Sequence, residues 1–244
     1  MESPDISVVV PCYNEFEGLG QLADALERLT SLCRDRDEQV EFILVDDGSV
    51  DGTGAALDER FGGRDGFTVL HHRVNRGVGA AMRTGFAAAR GDIVVCYDAD
   101  CAYPVEDVLR LVDAVRKGCD VATASPLAEE GRVEGVGLHR RLLSIGVARL
   151  YRLVLGRPAR KIGVFSCAFR AYRRRALQAI HFESDGFPAA SEILARMILQ
   201  DFCVVEVPSV LSERRFGVSK MRKLETIRAH LRLLNRLARI RLGL

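Results

Sequence analysis

Short apolar runs alternate with amphipathic segments through the first 125 residues, and this alternation limits the possible folds more than any other feature. Runs rich in Val and Ile are typical of buried strands, and apolar residues at every third or fourth position are typical of helices. Together they predict an α/β fold with a mainly parallel, Rossmann-like sheet flanked by helices. The predicted strands are Ile6–Val10, Val40–Val45, Thr68–His71, Ile93–Tyr97 and Asp120–Ala124, and the predicted helices are Glu17–Cys33, Asp51–Phe61, Gly79–Arg90 and Val105–Arg116.

The rhythm changes after about residue 125, where three glycines between positions 131 and 137 interrupt the chain. The predicted helices of this part are Leu138–Leu155, Arg173–Ala179, Phe187–Leu199 and Met221–Leu242, and the predicted strands are Phe165–Tyr172 and Cys203–Val207. The last helix is predicted to be basic and amphipathic. Its apolar face would consist of Leu224, Ile227, Leu231 and Leu234.

The net charge of +2 hides an uneven distribution along the chain. From Ser212 to Leu244 there are ten basic and two acidic residues, a net charge of +8, so residues 1–211 carry −6. Such a segment favours an anionic membrane surface or a membrane-anchoring partner. The alternative is that the apolar face packs on the rest of the chain and the arginines are solvated. Nucleic-acid binding would leave the acidic loops unexplained, so no nucleic-acid partner is expected.

Seven cysteines, without a C-x-x-C pair, indicate reduced thiols in a cytoplasmic protein. Residues Met1–Asp5 lack the basic and apolar segments of a signal peptide. No stretch approaches the ~18 apolar residues of a membrane span. We therefore expect a cytoplasmic protein, with peripheral binding to the cytoplasmic face of the membrane through the basic helix.

Acidic and amide side chains follow four of the predicted strands. Because the carboxyl ends of parallel strands meet at one edge of a sheet, a single crevice is expected to collect them. They are Asn14 and Glu15, Asp46 and Asp47, Asn75, and Asp98 and Asp100.

Asp98 and Asp100 come directly after a predicted buried strand. Mg²⁺ and Mn²⁺ prefer a few carboxylate oxygens together with substrate phosphate, so this D-x-D predicts a site for a metal and a diphosphate, as in a nucleotide-sugar. Two acids at a strand end are also common in solvated turns, so the other motifs must decide between the two interpretations.

Six motifs, in order, resemble those of family 2 glycosyltransferases with the GT-A fold, in particular the dolichyl- and polyprenyl-phosphate mannosyl- and glucosyltransferases. They are Val9–Glu15, Val45–Thr53, Asn75–Gly79, Asp98–Asp100, Phe169–Tyr172 and Arg215–Lys220. The resemblance implies a catalytic domain over residues 1–220, with a nucleotide-sugar and metal half at 1–125 and an acceptor half at 126–220. The basic helix would follow at 221–244.

The resemblance implies an inverting transfer of a hexose, such as mannose or glucose, from a GDP- or UDP-sugar to a polyprenyl or dolichyl phosphate. A hydroxyl acceptor on a soluble glycan, lipid or natural product is the alternative, and Glu192 would then be the candidate base. Mg²⁺ or Mn²⁺ would bind Asp98 and Asp100, and the catalytic residues would be these two with Arg140 and Arg214. The expected donor-binding residues are Pro11, Tyr13, Glu15, Asp46, Asp47, Asn75, Gly77, Asp98 and Lys220, and the expected acceptor phosphate ligands are Arg140, Ser144 and Arg214.

Several motifs also have local structural interpretations. The glycines of Asn75–Gly79 either expose backbone N–H groups to a phosphate at a helix start or permit a tight turn. Ser49 and Asp51 are predicted to be turn and helix-cap residues. Two departures from the family pattern stand out: Cys101-Ala102 after Asp100 leaves out one potential metal ligand, and altered spacing leaves the role of Ser166 open.

Overall fold

A mainly parallel sheet forms the centre of the computed structural model, which describes residues 3–135, 137–216 and 223–243. Within these residues the sheet has seven strands in the order β3-β2-β1-β4-β7-β5-β8. Only β7 runs antiparallel to its neighbours, β4 and β5. The strands are β1 (Ile6–Cys12), β2 (Val40–Asp46), β3 (Phe67–His71), β4 (Ile93–Cys96), β5 (Val121–Ser125), β7 (Arg170–Arg173) and β8 (Val204–Pro208), and a small second sheet pairs β6 (Arg132–Val133) with β9 (Val210–Leu211).

Helices cover both faces of the sheet because successive strand residues point to opposite sides. Val8 and Val10 belong to one core with α1, α2 and α4, whereas Val9 belongs to the other with α3, α5, α6, α7 and α8. The predicted α/β architecture is therefore confirmed. The helices are α1 (Leu19–Arg34), α2 (Thr53–Phe61), α3 (Val78–Ala88), α4 (Asp107–Arg116), α5 (Leu138–Leu155), α6 (Arg174–Gln178), α7 (Pro188–Leu199) and α8 (Lys223–Leu242).

The strand predicted at Phe165–Tyr172 is wrong over most of its length, because β7 begins only at Arg170. The preceding residues form a buried loop whose backbone is held by side chains. The Glu206 carboxylate accepts the amides of Gly163 and Val164, both at 2.9 Å. Arg170 is fully buried and donates to the Phe165 carbonyl at 2.7 Å. The apolar pattern of this segment thus reports burial and not strand pairing.

The C-terminal helix is present, but of its four predicted apolar residues only Leu234 lies in the face that packs on the domain. α8 packs on α5 and α7 through His230, Leu233, Leu234 and Leu237, which lie on one face with i, i+3, i+4 and i+7 spacing. Its other predicted apolar residues remain exposed: Leu224 at 73%, Ile227 at 44% and Leu231 at 54%. The helix therefore packs on the domain and also presents leucines to solvent.

No helix within the described ranges is both long enough and apolar enough to cross a bilayer.

Candidate active site

The D-x-D lies at the carboxyl end of β4, where Asp98 and Asp100 are both only partly exposed. Asp100 is held on both oxygens: the Ala102 amide donates to Oδ1 at 3.1 Å and Arg214 Nη2 donates to Oδ2 at 2.6 Å. Asp98 differs, because its carboxylate accepts no hydrogen bond from any residue that the structure describes. Within the described ranges, one carboxylate of the pair is thus fixed by protein donors and the other is not.

The charges around Asp98 make its ionised form unfavourable. Burial, followed by the negative charges of Asp100 and Glu15, raises the pKa of Asp98 to about 7, although Arg214 and Arg170 act in the opposite direction. A divalent cation would offset this accumulation of negative charge. The donor set therefore fits Mg²⁺ or Mn²⁺.

Arg214 reaches the D-x-D because the segment after β9 is fastened to the loop after β4 by a bond from the Ser212 amide to the Ala102 carbonyl, at 2.9 Å. Besides its bond to Asp100, its Nη1 lies 3.9 Å from Glu15 Oε1. This Nη1 is buried and has no hydrogen-bond partner within the described ranges. A buried guanidinium N–H without an acceptor is suited to a phosphate oxygen.

The predicted nucleotide end is built around Asp46 and Asp47, which are both buried. Asp47 accepts the Asn75 side-chain amide at 2.9 Å and the backbone amides of Arg76 and Gly77 at 3.0 and 2.7 Å. Its Oδ1 also lies 2.6 Å from His72 Nδ1. Asp47 therefore organises the loop that carries Asn75 and Gly77, and its oxygens are occupied by protein donors.

Asp46 is held in a similar way, by the Ser49 amide at 3.1 Å and by His71 Nδ1 at 3.2 Å. His71 also contacts Asp58, at 3.0 Å from Nε2. The sequence analysis missed both His71 and His72. Their position at the end of β3, next to the predicted nucleotide crevice, is the sequence feature that could have identified them as site residues.

The loops after β1 and β2 are locked together. The Asn14 amide donates to Ser49 Oγ at 2.9 Å, and the Glu15 amide donates to Thr53 Oγ1 at 2.9 Å. Asp51 in turn accepts the Thr53 amide at 3.0 Å, but the N-cap position of α2 is occupied by Gly52, so the predicted cap residue Asp51 lies one position before it. Among the expected donor residues nearby, Pro11 lies in β1, and Pro11, Tyr13 and Glu15 are all partly exposed at this edge. Pro11 and Tyr13 retain surface that a ligand can contact.

Three backbone amides of the Asn75–Gly79 turn are already engaged by the protein at the start of α3. The Arg76 and Gly77 amides donate to Asp47, and the Gly79 amide donates to the Asp185 carbonyl at 2.6 Å. A Cβ at Gly77 or Gly79 would collide with the backbone of Asp185 or Ser184, respectively. The tight-turn interpretation of these glycines is therefore the one that the structure supports.

On the acceptor side, Ser144 Oγ on α5 lies 3.4 Å from Ser166 Oγ. Ser166 is exposed and belongs to the loop before β7, which lies against the loop after β4: Cys167 Sγ donates to Tyr103 Oη at 3.5 Å. Arg140 lies on α5 one turn before Ser144, but its side chain is outside the described residues, as is the whole of Lys220. The structure thus adds Ser166 to the candidate acceptor residues.

Glu192 is not placed to act as a base, because it is fully buried and both its oxygens accept hydrogen bonds. The Ser184 amide and hydroxyl donate to Oε2 at 2.9 and 2.6 Å, and Arg196 Nε donates to Oε1 at 2.8 Å. Arg236 Nη2 also lies 2.8 Å from Oε1. Burial alone would raise the pKa of Glu192, but the Ser184 and Arg196 hydrogen bonds and the charge of Arg236 lower it.

Proteins of similar sequence include enzymes that act on lipid phosphates. The polyprenol monophosphomannose synthase of Mycolicibacterium smegmatis is 37% identical over 88% of this chain and 80% of its own length. The dolichol-phosphate mannosyltransferase of Pyrococcus furiosus is 31% identical over 95% of this chain and 63% of its own length. An undecaprenyl-phosphate 4-deoxy-4-formamido-L-arabinose transferase of Proteus mirabilis is 32% identical over 91% of this chain and 64% of its own. The chain thus spans less than two thirds of the last two relatives.

Solved structures with the same fold include the glucosyl-3-phosphoglycerate synthase of Mycobacterium tuberculosis in complex with Mn²⁺, uridine diphosphate and glucosyl-3-phosphoglycerate. It aligns over 99% of this chain and 81% of its own with a TM-score of 0.69, at 22% identity. This likeness confirms the GT-A fold. The model of the family described as "Glycosyl transferase family 2" matches residues 7–180. With most of the chain matched in this way, and relatives above 30% identity, the protein belongs to glycosyl transferase family 2.

Proposed function

We propose that this protein transfers a hexose, such as mannose or glucose, from a nucleotide-sugar to a polyprenyl phosphate, with inversion at the anomeric carbon. The observation that carries the proposal is the pairing of Arg214 with Asp100, which places beside the D-x-D a buried guanidinium N–H that has no hydrogen-bond acceptor within the described ranges. That arrangement suits an anionic acceptor next to a donor diphosphate. The named activities of the relatives support the same substrate class.

Asp98 and Asp100 would hold the Mg²⁺ or Mn²⁺ that offsets the negative charge growing on the departing nucleoside diphosphate. Asp98 fits this role because it lacks a hydrogen-bond donor within the described ranges and its pKa is raised to about 7. Structural neighbours of the same fold bind Mn²⁺ or Mg²⁺, which supports the metal in this chain.

The donor would lie along the edge formed by the loops after β1, β2 and β3. Tyr13 and Pro11 offer partly exposed surface for a base or ribose, while Asp47 fixes the loop of Asn75 and Gly77. We propose a GDP- or UDP-sugar as the donor. Lys220 stays a predicted donor ligand, outside the described part of the chain.

The acceptor phosphate would be bound by Arg214, Ser144 and Ser166, with Arg140 as a further predicted ligand. A phosphate is already anionic at neutral pH, so it needs orientation more than deprotonation. A hydroxyl acceptor would need a base, and the carboxylate of Glu192 is fully engaged by protein donors. The geometry therefore favours the polyprenyl phosphate over the hydroxyl alternative.

We propose peripheral binding on the cytoplasmic face of a membrane, close to where a polyprenyl phosphate would emerge. α5 and α8 pack on each other, and both expose leucines: Leu150 and Leu153 on α5, and Leu224 and Leu231 on α8. Exposed arginines such as Arg239 accompany them on α8, which suits an anionic lipid surface.

The test is an assay of the purified protein with Mn²⁺ or Mg²⁺ and radiolabelled GDP-, UDP- or dTDP-sugars, with and without polyprenyl phosphate. Label that enters the organic phase only when both polyprenyl phosphate and metal are present would support the proposal. Label transferred to a water-soluble hydroxyl acceptor, with none in the organic phase, would overturn it. EDTA serves as the control, because chelation should stop the transfer.

A further inference from the structure

The loop of residues 182–186, between α6 and α7, is where three helices meet. From α3, the Gly79 and Ala80 amides donate to the Asp185 carbonyl at 2.6 and 3.3 Å. Arg83 of the same helix donates to the Phe182 carbonyl at 2.9 Å and forms an ion pair with the Asp185 carboxylate. The loop therefore caps the start of α3, directly after the turn that carries Asn75 and Gly77.

The close fit of this loop explains why glycines occupy the turn. A Cβ at Gly77 would collide with the Asp185 carbonyl, and a Cβ at Gly79 would collide with the Ser184 carbonyl. Gly77 also has a φ of 95°, which side-chain-bearing residues rarely adopt. The backbone of the loop thus rests directly on the backbone of the donor turn.

The opposite side of the loop is fastened to α7 and α8. Glu192 of α7 accepts both the amide and the hydroxyl of Ser184, at 2.9 and 2.6 Å. Arg236 of α8 reaches Glu192 at 2.8 Å and Glu183 at 2.5 Å. Because Glu192 is fully buried, its charge has to be compensated by these donors and by Arg196, whose Nε donates to Oε1 at 2.8 Å.

We infer that Glu192 is a positioning residue for donor binding. Together with Arg236 it holds the backbone of residues 183–185 in contact with Gly77 and Gly79. This contact fixes the turn to which Asp47 also bonds. This inference rests on the proposed function, since it assigns that turn to the nucleotide-sugar site. It also connects the C-terminal helix to the donor site through Arg236, without direct contact between α8 and the donor.

A positioning role and a base role predict different kinetics. A base acts in the reaction step, so its loss lowers kcat at saturating donor. A residue that shapes the donor turn mainly affects the affinity for the donor, so its loss raises the donor KM and the Kd of a nucleoside diphosphate. Glu192→Gln separates the two. Either orientation of the glutamine amide turns an N–H₂ group towards protein donors, because both carboxylate oxygens accept hydrogen bonds.

The experiment measures binding of GDP and UDP, each with Mn²⁺, to the full chain by calorimetry, alongside donor KM and kcat. The test variants are Glu192→Gln, Arg236→Gln and Gly79→Ala. Arg232→Gln removes the same charge from an exposed position one turn earlier on α8, and Gly20→Ala adds a Cβ to an exposed position of α1 where nothing lies within 4 Å. These two are the matched controls.

For the preferred nucleotide we expect Kd and donor KM to rise about tenfold in each test variant, with kcat at saturating donor changed by less than about threefold. The controls should bind as the unsubstituted protein does. Gly79→Ala is informative even if Glu192→Gln folds poorly, because alanine favours the helix and its Cβ would displace the loop at Ser184 together with Ala189 of α7.

Unchanged nucleotide affinity in Arg236→Gln and Gly79→Ala would overturn the inference. So would a loss of kcat with unchanged affinity in Glu192→Gln, which would return Glu192 to a direct role in the reaction. If the unsubstituted protein bound neither GDP nor UDP, the proposed function itself would fail.

Discussion

Arg214→Ala should raise the KM for the acceptor without raising the metal concentration that the enzyme requires. In the proposed function Arg214 donates to the acceptor phosphate through Nη1, which has no hydrogen-bond acceptor among the described residues, while Nη2 bonds to Asp100 at 2.6 Å. A hydrogen bond to a charged group contributes about 1.5–3 kcal/mol, and each 1.4 kcal/mol is tenfold, so the KM for polyprenyl phosphate should rise about ten- to a hundredfold. The donor KM should change much less.

The metal should respond differently because Arg214 competes with it for Asp100. Loss of the guanidinium frees Asp100 Oδ2 and removes a positive charge that lowers the pKa of Asp98. At a pH high enough to ionise Asp98 in both proteins, the Mn²⁺ concentration for half-maximal activity should fall or stay unchanged. Initial rates with varied Mn²⁺ and varied acceptor give both quantities, and Arg214→Lys tests whether charge alone suffices. A variant that needs more Mn²⁺ but has an unchanged acceptor KM would refute this reasoning.

Three further predictions follow from the geometry. Asp100→Ala should abolish transfer without changing the melting temperature by more than a few degrees, because Asp100 lies at a strand end and not in the core; an active variant in a spectrophotometric nucleotide-release assay would exclude it as a metal ligand. Replacing Leu224, Ile227 and Leu231 together by Ser should reduce sedimentation with anionic liposomes while leaving nucleotide binding unchanged, since all three are exposed; equal sedimentation would show that α8 does not contact the bilayer. Glu41→Gln should destabilise the fold at pH 7 by about 1.5–3 kcal/mol, measured by urea unfolding, and by much less at pH 3.

The pH dependence of that last effect follows from the sign of the shift. Burial would raise the pKa of Glu41, but the hydrogen bonds from Ser7 and Arg90 and the charge of Arg90 lower it. A lowered folded-state pKa means that the stabilisation is present above the unfolded pKa of about 4.3 and is lost as the pH falls through the folded pKa. Equal destabilisation at both pH values would show that Glu41 contributes packing and not charge.

The sequence predicted the fold well where pattern and burial coincide. In β1, Ile6, Val8 and Val10 face one core and Val9 the other, so the apolar run reports a strand covered on both faces. The same logic failed between Val164 and Phe169, because an apolar segment can be buried as a loop if side chains satisfy its backbone. The Glu206 carboxylate accepts backbone amides at the start of this loop. Because Glu206 lies about 40 residues further along the chain, the local sequence contains no sign of this interaction.

The candidate site was predicted in part, for the same physical reason. Strand ends place Asp46, Asp47, Asp98 and Asp100 at one edge, which requires only the parallel topology. Whether an individual carboxylate is free or engaged depends on partners far away in sequence. In the sequence, Asp47 and Asp98 are both acidic residues that follow a strand. In the structure, Asp47 accepts hydrogen bonds from several protein donors and Asp98 accepts none from the described residues.

The carboxylates of the site thus fall into two groups, those whose hydrogen bonds are made by the protein and those that can bind a ligand. Asp46, Asp47 and Glu192 are buried with their hydrogen bonds made, so they hold loops in place whether or not a substrate is bound. Asp98 lacks a donor among the described residues, and one guanidinium nitrogen of Arg214 lacks an acceptor there. A charge or N–H that is shielded from water and lacks a partner is unfavourable, so a cation beside the first and an anion beside the second would each lower the free energy of the site. Asp100 connects the Asp98 carboxylate with the Arg214 guanidinium. It bonds to Arg214 and follows Asp98 in sequence, with only Ala99 between them. Binding of metal and binding of acceptor phosphate are therefore expected to be coupled, and the coupling should diminish in Arg214→Ala.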